Sequence, residues 1–126
     1  IKIDCDVINA DGGTRTAAIN GAWIALKDTF EKLVGNGKIK SDPLLGQIAA
    51  VSVGILDSKI NLDLDYSQDS NADVDLNIVM TSDGEFIEIQ GTGEKKSFSQ
   101  EQLKDMLAVA TKGIDEILKL QMKEFS

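Results

Sequence analysis

Between Gln47 and Gln90 the chain is written in short runs whose apolar residues recur at every second position, and this pattern constrains the fold most. Gln47 to Ile55 is largely apolar and β-branched. Lys59 to Tyr66 sets Ile60, Leu62, Leu64 and Tyr66 against Asn61, Asp63 and Asp65. Val74, Leu76, Ile78 and Met80 alternate with Asp75, Asn77 and Val79, and Glu85 to Gln90 follows. A period of two places one face of each strand in a core. Leu56-Asp57-Ser58 and Ser82-Asp83-Gly84 have the length and composition of hairpin turns, so the paired strands run antiparallel. Residues 67–73 read as a polar loop between the hairpins.

Helical spacing frames this region on both sides. Ile19, Trp23, Leu26, Phe30, Leu33 and Val34 recur three and four apart, which predicts an amphipathic helix over Thr14 to Val34 that ends at Gly35-Asn36-Gly37. Ser99 and Gln102 form a capping box ahead of an apolar stripe, Leu103, Met106, Leu107, Ala110, Ile114, Ile117 and Leu118. Residues 1–9 alternate Ile1, Ile3, Cys5 and Val7 against Lys2, Asp4, Asp6 and Ile8, which predicts a further strand. Strand, helix, four strands and helix make an α+β arrangement: a four-stranded, mainly antiparallel sheet packed on a long C-terminal helix, with a strand-helix unit in front. Residues 38–43, with the only proline, offer the best domain boundary, dividing 1–42 from 43–126. A chain that opens at Ile1 inside a strand reads as a piece of something larger.

Composition excludes several chemistries. There is no histidine, so no Ser-His-Asp or Cys-His nucleophile system and no histidine zinc site is available. The one cysteine, Cys5, cannot form an intrachain disulfide and is expected to be a small core residue; a reducing, cytoplasmic setting is the simplest expectation. No apolar run approaches the roughly 18 residues that a membrane span requires. The net charge of −8 argues against a nucleic-acid surface when taken alone. Arg15 is the only arginine, and it lies in a glycine-rich turn.

That turn, Asp11-Gly12-Gly13-Thr14-Arg15-Thr16, leads into the first helix. Free N–H groups and the helix dipole converge at such a point, and glycines let an anion approach the backbone. Thr14 adds a hydroxyl and Arg15 a planar fork of donors suited to phosphate oxygens. It is not a Walker loop, because that spacing is absent. The residues alone leave open whether this is an anion site or only a tight corner. A second group is acidic: Asp63, Asp65, Asp69, Asp73 and Asp75. Asp75 falls on the polar face of its strand and Asp69 in the loop before it, and two carboxylates converging there can hold Mg²⁺ with positions left for substrate oxygens. Asp63, Asp65 and Asp73 read as a solvated acidic edge.

In order and spacing, these segments resemble the ribonuclease PH family of phosphorolytic 3′→5′ exoribonucleases. The resemblance is carried by Ile3-Asp4-Cys5-Asp6-Val7 with DGGTRT and residues 17–22; by residues 49–54; by Asp65-Tyr66, Asp69-Ser70, Ala72, Asp75-Leu76-Asn77 and Met80-Thr81; and by residues 88–92. It covers nearly the whole chain, but only the C-terminal half of the family's length. It implies a nucleotidyltransferase in which inorganic phosphate attacks the terminal phosphodiester of an RNA, such as a tRNA precursor or an rRNA, and releases a nucleoside diphosphate. It implies that Gly13, Thr14 and Arg15 bind phosphate, and that Asp69 and Asp75 are catalytic and bind Mg²⁺. It further implies a homo-hexameric ring, an N-terminal half that supplies another phosphate-binding arginine and much of the RNA-contacting surface, and no membrane partner. On that view a fragment of this extent need not be active by itself. The alternative is a non-catalytic ring or scaffold subunit of an RNA-degrading assembly. Residues 93–97 depart from the small residues the family pattern carries there.

Overall fold

The computed structural model describes residues 1–125. Its elements in chain order are α1 (Thr14–Gly35), β1 (Ile48–Leu56), β2 (Lys59–Leu62), α2 (Tyr66–Asn71), β3 (Val74–Thr81), β4 (Phe86–Thr92) and α3 (Gln100–Lys123). The four strands form one antiparallel sheet in the order β2-β1-β3-β4. The α+β sheet-and-helix architecture is thus as the alternation and helical stripes predict.

The two faces of the sheet have different fates. Ala49, Val51, Val53 and Ile55 of β1 join Val74, Leu76, Ile78 and Met80 of β3 to form the floor of the core. Met106, Ala110, Ile114 and Leu118 of α3 close it, which is the burial expected of that helix's apolar stripe. The Ser99–Gln102 capping box is present, with Gln102 N donating to Ser99 Oγ at 3.1 Å and Ser99 N to Gln102 Oε1 at 2.8 Å. Two glutamines fasten the far end of α3: Gln47 Nε2 donates to Gln121 Oε1 at 2.8 Å, and Gln121 Nε2 to Ile48 O at 3.2 Å.

The opposite face receives α1. Its Asn20 side chain bonds both backbone groups of Ala50, accepting from the N–H and donating to the carbonyl, each at 2.8 Å. The amide therefore satisfies backbone groups of β1 that no strand pairs on that side. Trp23 Nε1 donates to Gly46 O at 3.0 Å, and Lys27 pairs with Asp42 at 2.9 Å, tying the polar connector to the helix.

Three expectations are corrected. Residues 1–9 form no strand: no strand among the described residues pairs with them, and Ile1, Ile3, Val7 and Ile8 are exposed. An extended segment without a pairing partner leaves its backbone groups to water. Cys5 is exposed rather than a core residue for the same reason. Third, the second strand ends at Leu62, not Tyr66. Asp63 takes a left-handed φ of 57° that breaks the ladder, and the supposed loop 67–73 begins as helix α2. Leu64 still turns into the interior at 1% exposure, so its apolar position marked burial rather than strand.

Candidate active site

The site stands on the α1-facing side of the sheet, opposite the α3 core. Strand register fixes this placement: Ser52 opposes Asn77 and Gly54 opposes Asp75 across β1 and β3, so Asp75 and Asn77 face away from α3. The phosphate-type turn comes to the same place. Gly13, Thr14 and Arg15 line one small cleft of about 110 Å³ with Ser52, Asp69, Asp75 and Asn77. The structure therefore brings together all five residues singled out in the sequence.

The turn is built by close approach. Gly13 has φ 70° and is the residue before α1, and no side chain caps that helix start. Its first-turn N–H groups therefore have no side-chain partner. The carbonyl of Gly13 accepts from Ala17 N and from Thr16 Oγ1, both at 2.9 Å, which seals the underside of the turn. At Gly12 a Cβ would stand 2.0 Å from Leu64 O and 2.6 Å from the carbonyl carbon of Asp65. Gly12→Ala must therefore push the turn off the segment leading into α2. Its expected cost is about 2 kcal/mol of stability, read as a lowered midpoint in urea unfolding.

Asp11 joins the two halves of the cleft. Its Oδ1 accepts from Tyr66 N at 2.7 Å and Gly12 N at 2.8 Å, so one carboxylate oxygen clasps the start of α2 to the turn. These bonds, the one from Tyr66 foremost, hold the Asp11 carboxyl below its ordinary pKa. Asp65 then caps α2, with Gln68 N donating to its Oδ1 at 2.8 Å and Asp65 N donating back to Gln68 Oε1 at 3.2 Å. Asp69 is thus carried on a capped helix rather than a loop. Of the acidic edge expected of Asp63, Asp65 and Asp73, Asp63 and Asp65 are exposed, Asp65 also caps α2, and Asp73 is partly buried and pairs with Lys96 at 2.8 Å.

The loop 93–97 reaches over this region. Lys95 Nζ donates to Asn71 O at 2.9 Å at the end of α2, and its backbone N–H donates to Asp73 O at 3.0 Å. This folding brings Glu94 into a pocket of about 340 Å³ shared with Asp69 and Asp75. Burial first, then the charges of Asp69 and Glu94, raise the Asp75 pKa above its ordinary value. Oδ1 of Asp75 is buried and has no hydrogen-bond partner among the described residues. A buried carboxylate oxygen facing like charges is satisfied by a proton or a cation. The donor set of hard oxygens suits Mg²⁺, which typically takes one or two carboxylates and fills its shell with water and substrate oxygens. Among the described residues no group of three or more Cys, Asp or Glu side chains is placed to hold a metal ion by itself.

Arg15 does not hang free. Its Nη2 meets Glu88 Oε1 at 2.8 Å and Oε2 at 2.9 Å. Sequence reasoning missed four contributors: Asp11 as a clasp, Ser52, Asn77 and Glu88. The readable signals were Ser52 inside an otherwise apolar run and the Asp65–Gln68 capping spacing; the Asp11 and Glu88 contacts cross 55 and 73 residues and have no local signature.

Comparisons with known proteins bear on the same region. Residues 46–113 match the profile of the 3′ exoribonuclease family, domain 2. The chain is 56% identical over 121 residues to ribonuclease PH of Corynebacterium glutamicum, covering 96% of this chain and 49% of the relative. It is 55% identical over 121 residues to ribonuclease PH of Corynebacterium efficiens, with the same coverage. The chain thus spans about half the length of the curated relatives it matches. The crystal structure of rice (Oryza sativa) Rrp46 superposes with a TM-score of 0.64 at 19% identity, over 92% of this chain and 51% of that one, a likeness of fold.

Proposed function

Since this chain belongs to the 3′ exoribonuclease family, we propose that it forms the phosphate- and metal-binding half of a phosphate-dependent 3′→5′ exoribonuclease that trims tRNA precursors and other RNA 3′ ends. The observation that carries this reading is the single cleft shared by Gly13, Thr14, Arg15, Asp69 and Asp75. In the reaction, an oxygen of inorganic phosphate attacks the terminal phosphorus, the bond to the penultimate 3′ oxygen breaks, and a nucleoside diphosphate departs.

The proposed division of labour follows the geometry. The uncapped N–H groups of α1, the Thr14 hydroxyl and Arg15 hold the attacking phosphate. Asp69 and Asp75 hold Mg²⁺, which when bound offsets charge on the crowded phosphoryl oxygens. A proton held by one of the two carboxyls passes to the departing 3′ oxygen. No protein nucleophile is required, in agreement with the absent histidine.

The rest of the machine is also part of the proposal. An N-terminal half, matching the extra length of the relatives, supplies a further phosphate-binding arginine and the basic RNA path that a chain of net charge −8 lacks. An apolar cavity of about 530 Å³ between α1 and the sheet, lined by Ile3, Ile19, Trp23, Leu26, Ile48 and Ile87, gives that half a surface to cover. The assembled enzyme is a cytoplasmic homo-hexamer. Among the described residues no helix is long and apolar enough to cross a membrane.

The test is to incubate the intact protein with a 3′-extended tRNA and Mg²⁺, with and without phosphate. Nucleoside diphosphates are expected only when phosphate is present. Release of monophosphates without phosphate would refute phosphorolysis, and no release would favour the scaffold-subunit alternative.

A further inference from the structure

Strand β4 is the edge of the sheet, and its alternation is interrupted at one place. Val79 opposes Glu88 while the next residue, Met80, opposes Phe86, so Ile87 is an extra, bulged residue. A bulge of this kind turns two consecutive side chains toward the same side and re-aims them. Ile87 accordingly lines the apolar cavity beneath α1, and Glu88 beside it reaches Arg15 in the first turn of α1. The contact links the edge strand to the phosphate turn across 73 residues.

Its geometry is one-sided. Both carboxylate oxygens of Glu88 lie against Nη2 alone, at 2.8 and 2.9 Å. A guanidinium has five N–H donors, so those of Nη1 and Nε are left over. Arg15 at the same time lines the cleft with Gly13, Thr14, Asp69 and Asp75. An arginine fork held by one corner loses the rotamer freedom of its long side chain before a ligand arrives. A carboxylate facing the cleft squarely would compete with phosphate; one gripping only Nη2 from strand β4 anchors the fork.

We propose that Glu88 is a positioning residue that holds Arg15 by its Nη2 corner and presents the remaining guanidinium donors to inorganic phosphate. This role rests on the phosphorolytic reading above. Glu88 touches neither RNA nor metal in it, and its effect is confined to the phosphate that Arg15 binds.

The experiment measures phosphate and RNA dependence of trimming by the intact protein for wild type, Glu88→Ala, Glu88→Gln, Arg15→Ala and the double variant, together with equilibrium binding of radiolabelled inorganic phosphate without RNA. Glu88→Ala should raise the phosphate KM and Kd by roughly tenfold, the scale of one immobilised, charge-assisted contact. The RNA KM and the melting temperature should stay within about twofold and about 2 °C of wild type, since exposed ion pairs contribute little to stability. Glu88→Gln, which retains one acceptor oxygen, should recover part of the phosphate affinity. In the Arg15→Ala background Glu88→Ala should change nothing further. An unchanged or tighter phosphate Kd in Glu88→Ala, or additive effects of the two substitutions, would overturn the positioning role. If wild type binds phosphate but trims without needing it, phosphorolysis fails and the binding series still decides on Glu88. If wild type binds no phosphate, both ideas fall.

Discussion

Asp75→Asn is expected to reduce phosphorolytic turnover by about 10³-fold, the scale of losing a preorganised electrostatic group at a reacting phosphoryl centre. Asparagine keeps the shape of the side chain but cannot supply the anionic oxygen that a cation needs. RNA binding, measured in a gel-shift or anisotropy titration, should stay near wild type. Near-normal turnover in this variant would refute the placement of the metal site. The same substitution has an opposite effect on stability. In the folded chain, burial and the charges of Asp69 and Glu94 raise the Asp75 pKa, so the native state binds that proton more tightly than the unfolded state does. The stabilisation from that proton is complete below the ordinary carboxylate pKa and is lost as pH rises through the raised folded value. At pH 7 in EDTA the wild-type carboxylate is therefore an unfavourable charge. Asp75→Asn should melt at a higher temperature than wild type there, with the gap closing toward pH 4. Added Mg²⁺ should close it from the other direction, by stabilising wild type alone.

Arg15→Ala is the second large effect. The variant removes the only guanidinium in the chain and with it the donors beside the uncapped start of α1. About a 10²-fold fall in kcat/KM for phosphate is expected, mostly through KM, since the helix N-terminus and Thr14 remain. Arg15→Lys should recover only part of it, because an ammonium lacks the planar fork. The RNA KM should move little. An equal loss for phosphate and RNA would show that Arg15 contacts the RNA instead.

Much of the fold was legible because its signals are local. The capping box at Ser99 and Gln102, the stripe of α3 and the period of two in β1 and β3 each depend on neighbours within a few residues. The two-residue turn at Asp57-Ser58 falls where the sequence put it, with φ of 50° and 63°. What was not legible depended on length or distance. Helix α2 spans only Tyr66–Asn71, too short to show helical periodicity, and its apolar neighbour Leu64 imitated a strand residue. Residues 1–9 carry a strand's alternation, yet alternation states which face could be buried, not whether a neighbour exists to pair with. The site divides in the same way. Gly13 to Arg15 and the two aspartates could be selected by chemical type and by family resemblance. Their meeting in one cleft follows from the register that points Asp75 and Asn77 away from α3, and from the contact of Asp11 with Tyr66.

That contact gives the cleft a thermodynamic property. Because a single oxygen of Asp11 clasps the turn to the start of α2, loosening of the turn proposed to hold phosphate is coupled to loosening of the segment that carries Asp69. A ligand that tightens either segment tightens the other through this bond, so the second ligand is expected to meet a cleft already drawn together. Phosphate and Mg²⁺ should therefore strengthen each other's binding, by the same factor in either order.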